Sequence, residues 1–259
     1  MSKNQIRRGS RKHILEWSGS NDFIPSLQRI VSPIGFNVCK NADRQPKSYD
    51  DCRESTLTNK KDSFLTRCQA QCVRDWWLFH KRGSKLPTWD LVIQAEDINK
   101  HPALVLVEAK ARISELRSDG KKSSKRSQPE AQKRSDDNDE RIGKAISEAM
   151  SFLKHQNPKI HLCKYENYQF CNRIAFSWKL ASMGIPVVLV YLGFLGDTGF
   201  TDRIFTKERW TQSVREKTEK NFPFELWAEE IRCGAGSFWF LVESKKVLSP
   251  SQQLRSGKP

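Results

Sequence analysis

The sequence lacks several features that would place it in well-defined classes of protein. No apolar run approaches the ~20 residues that span a bilayer, and the first 20 residues contain no apolar segment typical of a secretory signal. The seven cysteines are odd in number and form no C-x-x-C pair, so a disulfide framework is not indicated. Neither a G-x-G-x-x-G nor a P-loop pattern is present, which argues against a nucleotide-cofactor enzyme. We therefore expect a cytoplasmic protein with reduced thiols and no membrane partner.

Positive charge is the strongest signal in the composition. The formal net charge is +15 at pH 7 and the pI is about 9.6. Such an excess suggests a polyanionic partner, although a merely soluble basic protein would have the same composition. Residues 1–15 and 117–134 each carry a net charge of +5, and residues 245–259 carry +4. Because these stretches are poor in apolar side chains, they indicate basic arms suited to loose phosphate binding rather than sequence readout.

The length of 259 residues predicts one folded domain with appendages. Residues 1–60 are predicted to be a partly ordered N-terminal extension, residues 61–243 the domain, and residues 244–259 a flexible basic tail. Within the domain, residues 117–140 are nearly free of apolar side chains. A segment of this composition is predicted to be a disordered basic insert.

Hydrophobic periodicity predicts alternating helices and strands. The predicted helices cover residues 68–82, 142–153, 165–183, 206–217 and 224–231, and the predicted strands cover residues 88–95, 103–109, 187–195 and 238–242. The polar connector between the first two strands is short enough for an antiparallel hairpin. This order of elements implies an α/β fold, with a mixed central β-sheet flanked by helices on both faces.

Charged residues mark the ends of two apolar strands in this hairpin. Asp90 precedes the first strand, and Glu108, Ala109 and Lys110 end the second. Because side chains alternate along a strand, Glu108 and Lys110 project from the same face. Pairing of the strands would bring Asp90 close to Glu108. Two carboxylates beside a lysine suit a hard cation such as Mg²⁺, which binds oxygen ligands and activates water for attack on a phosphate. The backbone carbonyl of Ala109 is a further candidate ligand.

Polar residues on the 165–183 helix are candidates for site support or phosphate binding. Gln169, Asn172 and Arg173 share one side of the helix, and arginine is the preferred bidentate phosphate binder. An ordinary solvated helix face would have the same pattern. Glu54 and Glu148 are possible additional metal ligands, although a solvated side chain is the favoured interpretation of each.

These motifs resemble those of the PD-(D/E)XK nuclease superfamily of restriction-endonuclease-like enzymes. Glu108-Ala109-Lys110 ends an apolar strand as the (D/E)-x-K element does, and Asp90 stands at the position of the family's Pro-Asp, with the proline displaced to Pro87. The order of helix, strands, helix and strand over residues 68–195 is also similar. The resemblance implies a Mg²⁺-dependent deoxyribonuclease, with Mn²⁺ as a substitute, that acts through Asp90, Glu108 and Lys110. It also implies a helix carrying a supporting Gln, and a possible homodimer.

Two other classes of function remain open at this stage. A catalytically silent nucleic-acid-binding protein on the same fold would have the same basic arms, but it would have no use for clustered carboxylates facing a polyanion. The other class is a hydrolase or transferase for a small phosphorylated molecule.

Overall fold

A six-stranded mixed β-sheet forms the centre of the computed structural model, which describes residues 8–59, 64–81, 84–116, 119–121 and 126–247. The strand order is β1-β2-β3-β4-β6-β5. The strands are β1 Arg44–Gln45, β2 Leu91–Glu96, β3 Pro102–Lys110, β4 Val187–Leu195, β5 Ile231–Arg232 and β6 Ser237–Lys246. β2 and β3 form the expected antiparallel hairpin, whereas β3, β4 and β6 run parallel. The predicted mixed α/β sheet is therefore confirmed.

Helices cover both faces of this sheet. They are α1 Ser10–Ser18, α2 Phe23–Val31, α3 Arg67–Trp77, α4 Pro129–Gln156, α5 Tyr168–Ser182 and α6 Lys207–Thr218. Leu104 and Leu106 of β3 face a core shared with α3, α4, α5 and α6. Val105 and Val107 face a second core shared with α1 and α2. This double burial explains why β3 and β4 are apolar on both faces.

Local sequence features mark the ends of helices α3 and α5. A capping box between Thr66 and Gln69 begins α3. The helix ends at Trp77, five residues earlier than predicted, because the chain becomes extended at Leu78. Gly184 follows α5 with φ +81°, a conformation that glycine adopts without strain, and the chain then enters β4.

Helix α4 differs most from the prediction. It has 28 residues and begins at Pro129, so residues 129–140, expected to be part of a disordered insert, are helical. Proline at a first helical position suits helix initiation, and Asn138 is buried against another segment. Periodicity did not indicate this helical segment because its contacts are polar. Residues 117–118 and 122–125 of the predicted insert lie outside the described residues.

The predicted extension and tail also differ from the structure. α1 and α2 bury Ile14, Trp17, Phe23 and Leu27 against the sheet, so much of the 1–60 segment belongs to the core of the domain. Residues 244–246, assigned to the tail, continue β6 because they pair with the end of β4. Residues 248–259 lie outside the described part of the chain.

The prediction of a helix at residues 224–231 is wrong. A single 3-10 turn, Phe224–Leu226, precedes the short strand β5 there, since pairing with β6 takes over from local propensity. Within the described residues, no helix is long and apolar enough to cross a membrane.

Candidate active site

The β2–β3 hairpin brings Asp90 to the end of β3, as predicted. Leu91 pairs with Val107, so Asp90, the residue before β2, lies beside the last residues of β3. The Asp90 Oδ2 atom accepts a hydrogen bond of 2.8 Å from the backbone N–H of Ala109. Within an antiparallel pair, the N–H and C=O groups of one residue point to the same side of the strand. The Ala109 carbonyl therefore points towards the same edge as Asp90.

Glu108 is the centre of the polar contacts at this site. The residue is 2 % exposed, and its side chain projects from β3 towards α5. The Oε1 atom accepts hydrogen bonds from Lys110 Nζ and, at 2.8 Å, from Gln169 Nε2. The Oε2 atom accepts a hydrogen bond of 2.7 Å from Arg173 Nε. A carboxylate this deeply buried needs such partners, because desolvation of an unpaired charge is costly.

Each nitrogen of the Arg173 guanidinium donates a hydrogen bond, and an aromatic ring lies against one of its faces. Besides the bond to Glu108, Nη2 donates to the Thr88 carbonyl at 2.7 Å and Nη1 to Asn172 Oδ1 at 3.2 Å. The guanidinium also lies over the Trp89 ring at 4.4 Å from its centroid. Arg173 is only 5 % exposed. Of the two roles expected for this residue, its contacts favour site support over phosphate binding.

Lys110 and Gln169 complete the contacts. Lys110 is buried and donates from Nζ to Gln169 Oε1 at 3.2 Å as well as to Glu108. The Gln169 amide thus accepts from Lys110 and donates to Glu108, so it fixes the two charged side chains relative to each other. Gln169 thus contacts both charged residues, and its role in site support stays a prediction.

Burial and neighbouring charges separate the two carboxylates electrostatically. Burial, together with the negative charge of Glu108, raises the pKa of Asp90 to about 7. Burial would also raise the pKa of Glu108, but the charges of Arg173 and Lys110 outweigh it and hold that pKa below its ordinary value. Near neutral pH, Glu108 is therefore ionised, whereas the carboxyl group of Asp90 is partly protonated. A pair of carboxyl groups with divergent pKa values is a common feature of functional sites.

A large cavity opens above these residues. Its volume is about 1460 Å³, larger than the ~300–1,000 Å³ of typical small-molecule pockets. Asp90, Glu108 and Lys110 line the cavity, and exposed basic side chains lie further along its lining, namely Lys85, Arg126 and Arg134. The lining of the cavity therefore combines the acidic groups at the end of β3 with exposed basic side chains from other segments.

The oxygen donors at this site are of the kind that a hard divalent cation binds. Two carboxylates and a backbone carbonyl are all oxygen donors, and Mg²⁺ commonly uses one or two carboxylates together with water and substrate phosphate. No cluster of three or more His, Cys, Asp and Glu side chains suited to a metal occurs among the described residues. Asp90, Glu108 and the Ala109 carbonyl are the groups that would hold the ion.

The two additional ligands considered from the sequence lie in other contacts. Glu54 Oε1 forms an ion pair of 2.9 Å with Arg11, and Glu148 Oε2 accepts a hydrogen bond of 3.0 Å from the Trp76 indole. Sequence reasoning missed Glu115, which lines the cavity and accepts a hydrogen bond of 2.9 Å from the Ala111 N–H. It also missed Asn138, which lies in the segment predicted to be disordered. Neither residue has a local sequence signal.

Comparison with known proteins gives no relative to set beside this geometry. No protein-family model, curated protein or solved structure matches the chain.

Proposed function

We propose that the protein is a metal-dependent nuclease that hydrolyses DNA phosphodiester bonds at the end of β3. The observation that carries the proposal is the convergence of Asp90, Glu108 and Lys110 in one large cavity with basic side chains in its lining. We extend the proposal to a restriction-endonuclease-like core, because that fold is expected to contain a mixed sheet, and the β2–β3 hairpin with the parallel β3–β4–β6 strands forms one.

Each residue has a distinct part in this proposal. Asp90, Glu108 and the Ala109 carbonyl would hold Mg²⁺, with Mn²⁺ as a substitute. The bound ion would lower the pKa of water and offset the charge that develops on the phosphate. Lys110 adds a positive charge beside the reacting phosphate, and Gln169 holds its ammonium in place. Arg173 keeps Glu108 ionised and oriented.

Cleavage assays test the proposal directly. Purified protein is incubated with plasmid, linear duplex and single-stranded DNA, with Mg²⁺, Mn²⁺ or EDTA. We expect metal-dependent cleavage that is lost in the Asp90→Asn and Glu108→Gln variants. A matched control is Asp97→Asn, because Asp97 lies in the turn at the far end of the hairpin. Asp90→Asn and Glu108→Gln variants that cut as fast as the parent would show that the site is wrong.

One observation favours a catalytically silent DNA-binding protein as the second candidate. Both carboxylate oxygens of Glu108 already accept hydrogen bonds from basic or amide groups, and a metal would compete with them. DNA binding that is sensitive to salt but unaffected by EDTA, without cleavage of any substrate, would favour this candidate. The intact set of Asp90, Glu108 and Lys110 favours the nuclease.

A further inference from the structure

Helix α4 is fastened to the loop that precedes β2 by one buried side chain. The Asn138 Oδ1 atom accepts a hydrogen bond of 2.7 Å from the His80 N–H, and Nδ2 donates to the His80 carbonyl at 2.9 Å. Nδ2 also donates to Ser84 Oγ at 2.7 Å. Asn138 is 7 % exposed and lines the cavity. The N-terminal half of α4 is therefore a fixed wall of the cavity.

Further hydrogen bonds join the remaining walls. Asp139 of α4 accepts a hydrogen bond of 2.6 Å from Lys121, and the Asp119 carbonyl accepts one of 3.0 Å from the Tyr168 N–H at the start of α5. Arg173 of α5 donates a hydrogen bond to the Thr88 carbonyl in the loop before β2. The loop, α4, the 119–121 segment and α5 thus form a hydrogen-bonded circuit, and each of the four contributes residues to the cavity.

Two exposed aromatic side chains lie next to this circuit. Phe79 is 67 % exposed; it follows the cavity-lining Leu78 in sequence, and its ring packs at a centroid distance of 4.8 Å on the ring of His80, whose backbone binds Asn138. Tyr165 is 76 % exposed; its backbone lies against Gly120 of the cavity lining, and the Lys164 ammonium lies 5.4 Å from the centroid of its ring. Large aromatic groups are costly to leave in water, and nucleic-acid bases stack readily on such rings.

We propose that the substrate of this site is single-stranded DNA, whose unpaired bases stack on Phe79 and Tyr165 while its backbone enters the cavity. This inference rests on the proposed nuclease function and names its substrate. A duplex keeps its bases stacked on each other, so it cannot use the two rings. The basic side chains of the lining attract the phosphates of either form.

The test measures binding without cleavage. A fluorescein-labelled oligothymidylate and a mixed-sequence duplex of the same length are titrated with the full chain in EDTA, and fluorescence anisotropy gives each Kd. We expect the single strand to bind about tenfold more tightly than the duplex. The Phe79→Ala and Tyr165→Ala variants should each bind the single strand about fivefold or more weakly, with the affinity for the duplex unchanged.

The control variant is Ile98→Ala, which removes an exposed apolar side chain at the opposite end of the β2–β3 hairpin. It should leave both affinities unchanged. Duplex binding as tight as single-strand binding would overturn the proposal, and so would aromatic variants that change neither affinity or both equally. Because the assay does not require turnover, absence of cleavage with Mg²⁺ or Mn²⁺ counts against the nuclease alone. A preference for duplex in EDTA counts against the single-strand proposal alone.

Discussion

Replacement of Arg173 by methionine would leave the buried carboxylate of Glu108 without its strongest countercharge. Glu108 and Arg173 are 2 % and 5 % exposed, and their atoms Oε2 and Nε lie 2.7 Å apart. Removal of one partner from a buried ion pair costs ~3–5 kcal/mol, since the other charge stays buried. Lys110 and Gln169 continue to bind Glu108 Oε1. We therefore expect a loss of about 3 kcal/mol, at the lower end of this range.

Urea denaturation followed by circular dichroism, at pH 7 in EDTA, measures this loss. The midpoint should fall while the dependence of the unfolding free energy on urea stays the same. The matched control is a double-mutant cycle with Glu108→Gln, which removes the negative charge. In that background, Arg173→Met should cost at least about 1 kcal/mol less, as expected for residues in direct contact. A loss below about 1 kcal/mol, or an equal loss in both backgrounds, would refute the reasoning.

Two further predictions concern pH and packing. Burial and the charge of Glu108 raise the pKa of Asp90 to about 7, so ionisation of Asp90 destabilises the fold as pH rises. In urea titrations with EDTA, Asp90→Asn should be more stable than the parent by more than about 1 kcal/mol at pH 8 and by a smaller amount at pH 5. A stability gain that is larger at pH 5 than at pH 8 would contradict this sign. Gly193→Ala should lower the unfolding free energy by ~1–3 kcal/mol, because the added Cβ would lie 2.6 Å from the buried Trp210 ring. Gly143→Ala in α4 should instead raise it by ~0.5–1 kcal/mol, because the atoms nearest to the added Cβ belong to the Lys164 side chain, at 3.5 Å. Thermal unfolding of both variants measures this contrast, and a neutral Gly193→Ala would contradict it.

The hairpin and its charged ends could be predicted because the responsible signals are local. The apolar run of β3 and the strict alternation of its side chains placed Glu108 and Lys110 on one face, and a short polar connector placed Asp90 beside them. The structure agrees in both respects. Helix α5 was also predicted, and Gln169 and Arg173, one helical turn apart on it, were candidates for site support or phosphate binding; their bonds to Glu108 came from the structure.

Other elements were missed because their stability comes from distant contacts. Residues 129–140 have no apolar stripe, and one buried amide, Asn138, fastens them to the loop before β2. The segment at residues 224–231 has local helical character, but its end forms a strand with β6. Sequence periodicity reports how a segment buries its own side chains, and it carries no information about such polar contacts.

Thus the sequence alone determined the α/β class, the apolar β3 strand and the placement of two carboxylates and a lysine at its end, because these follow from the period of a strand and the length of one connector. Only the tertiary structure decided that Arg173 neutralises Glu108 and that α4 forms a wall of the cavity. It also decided that α1 and α2 cover the second face of the sheet. Those features depend on contacts between residues far apart in the chain, and folding alone brings them together.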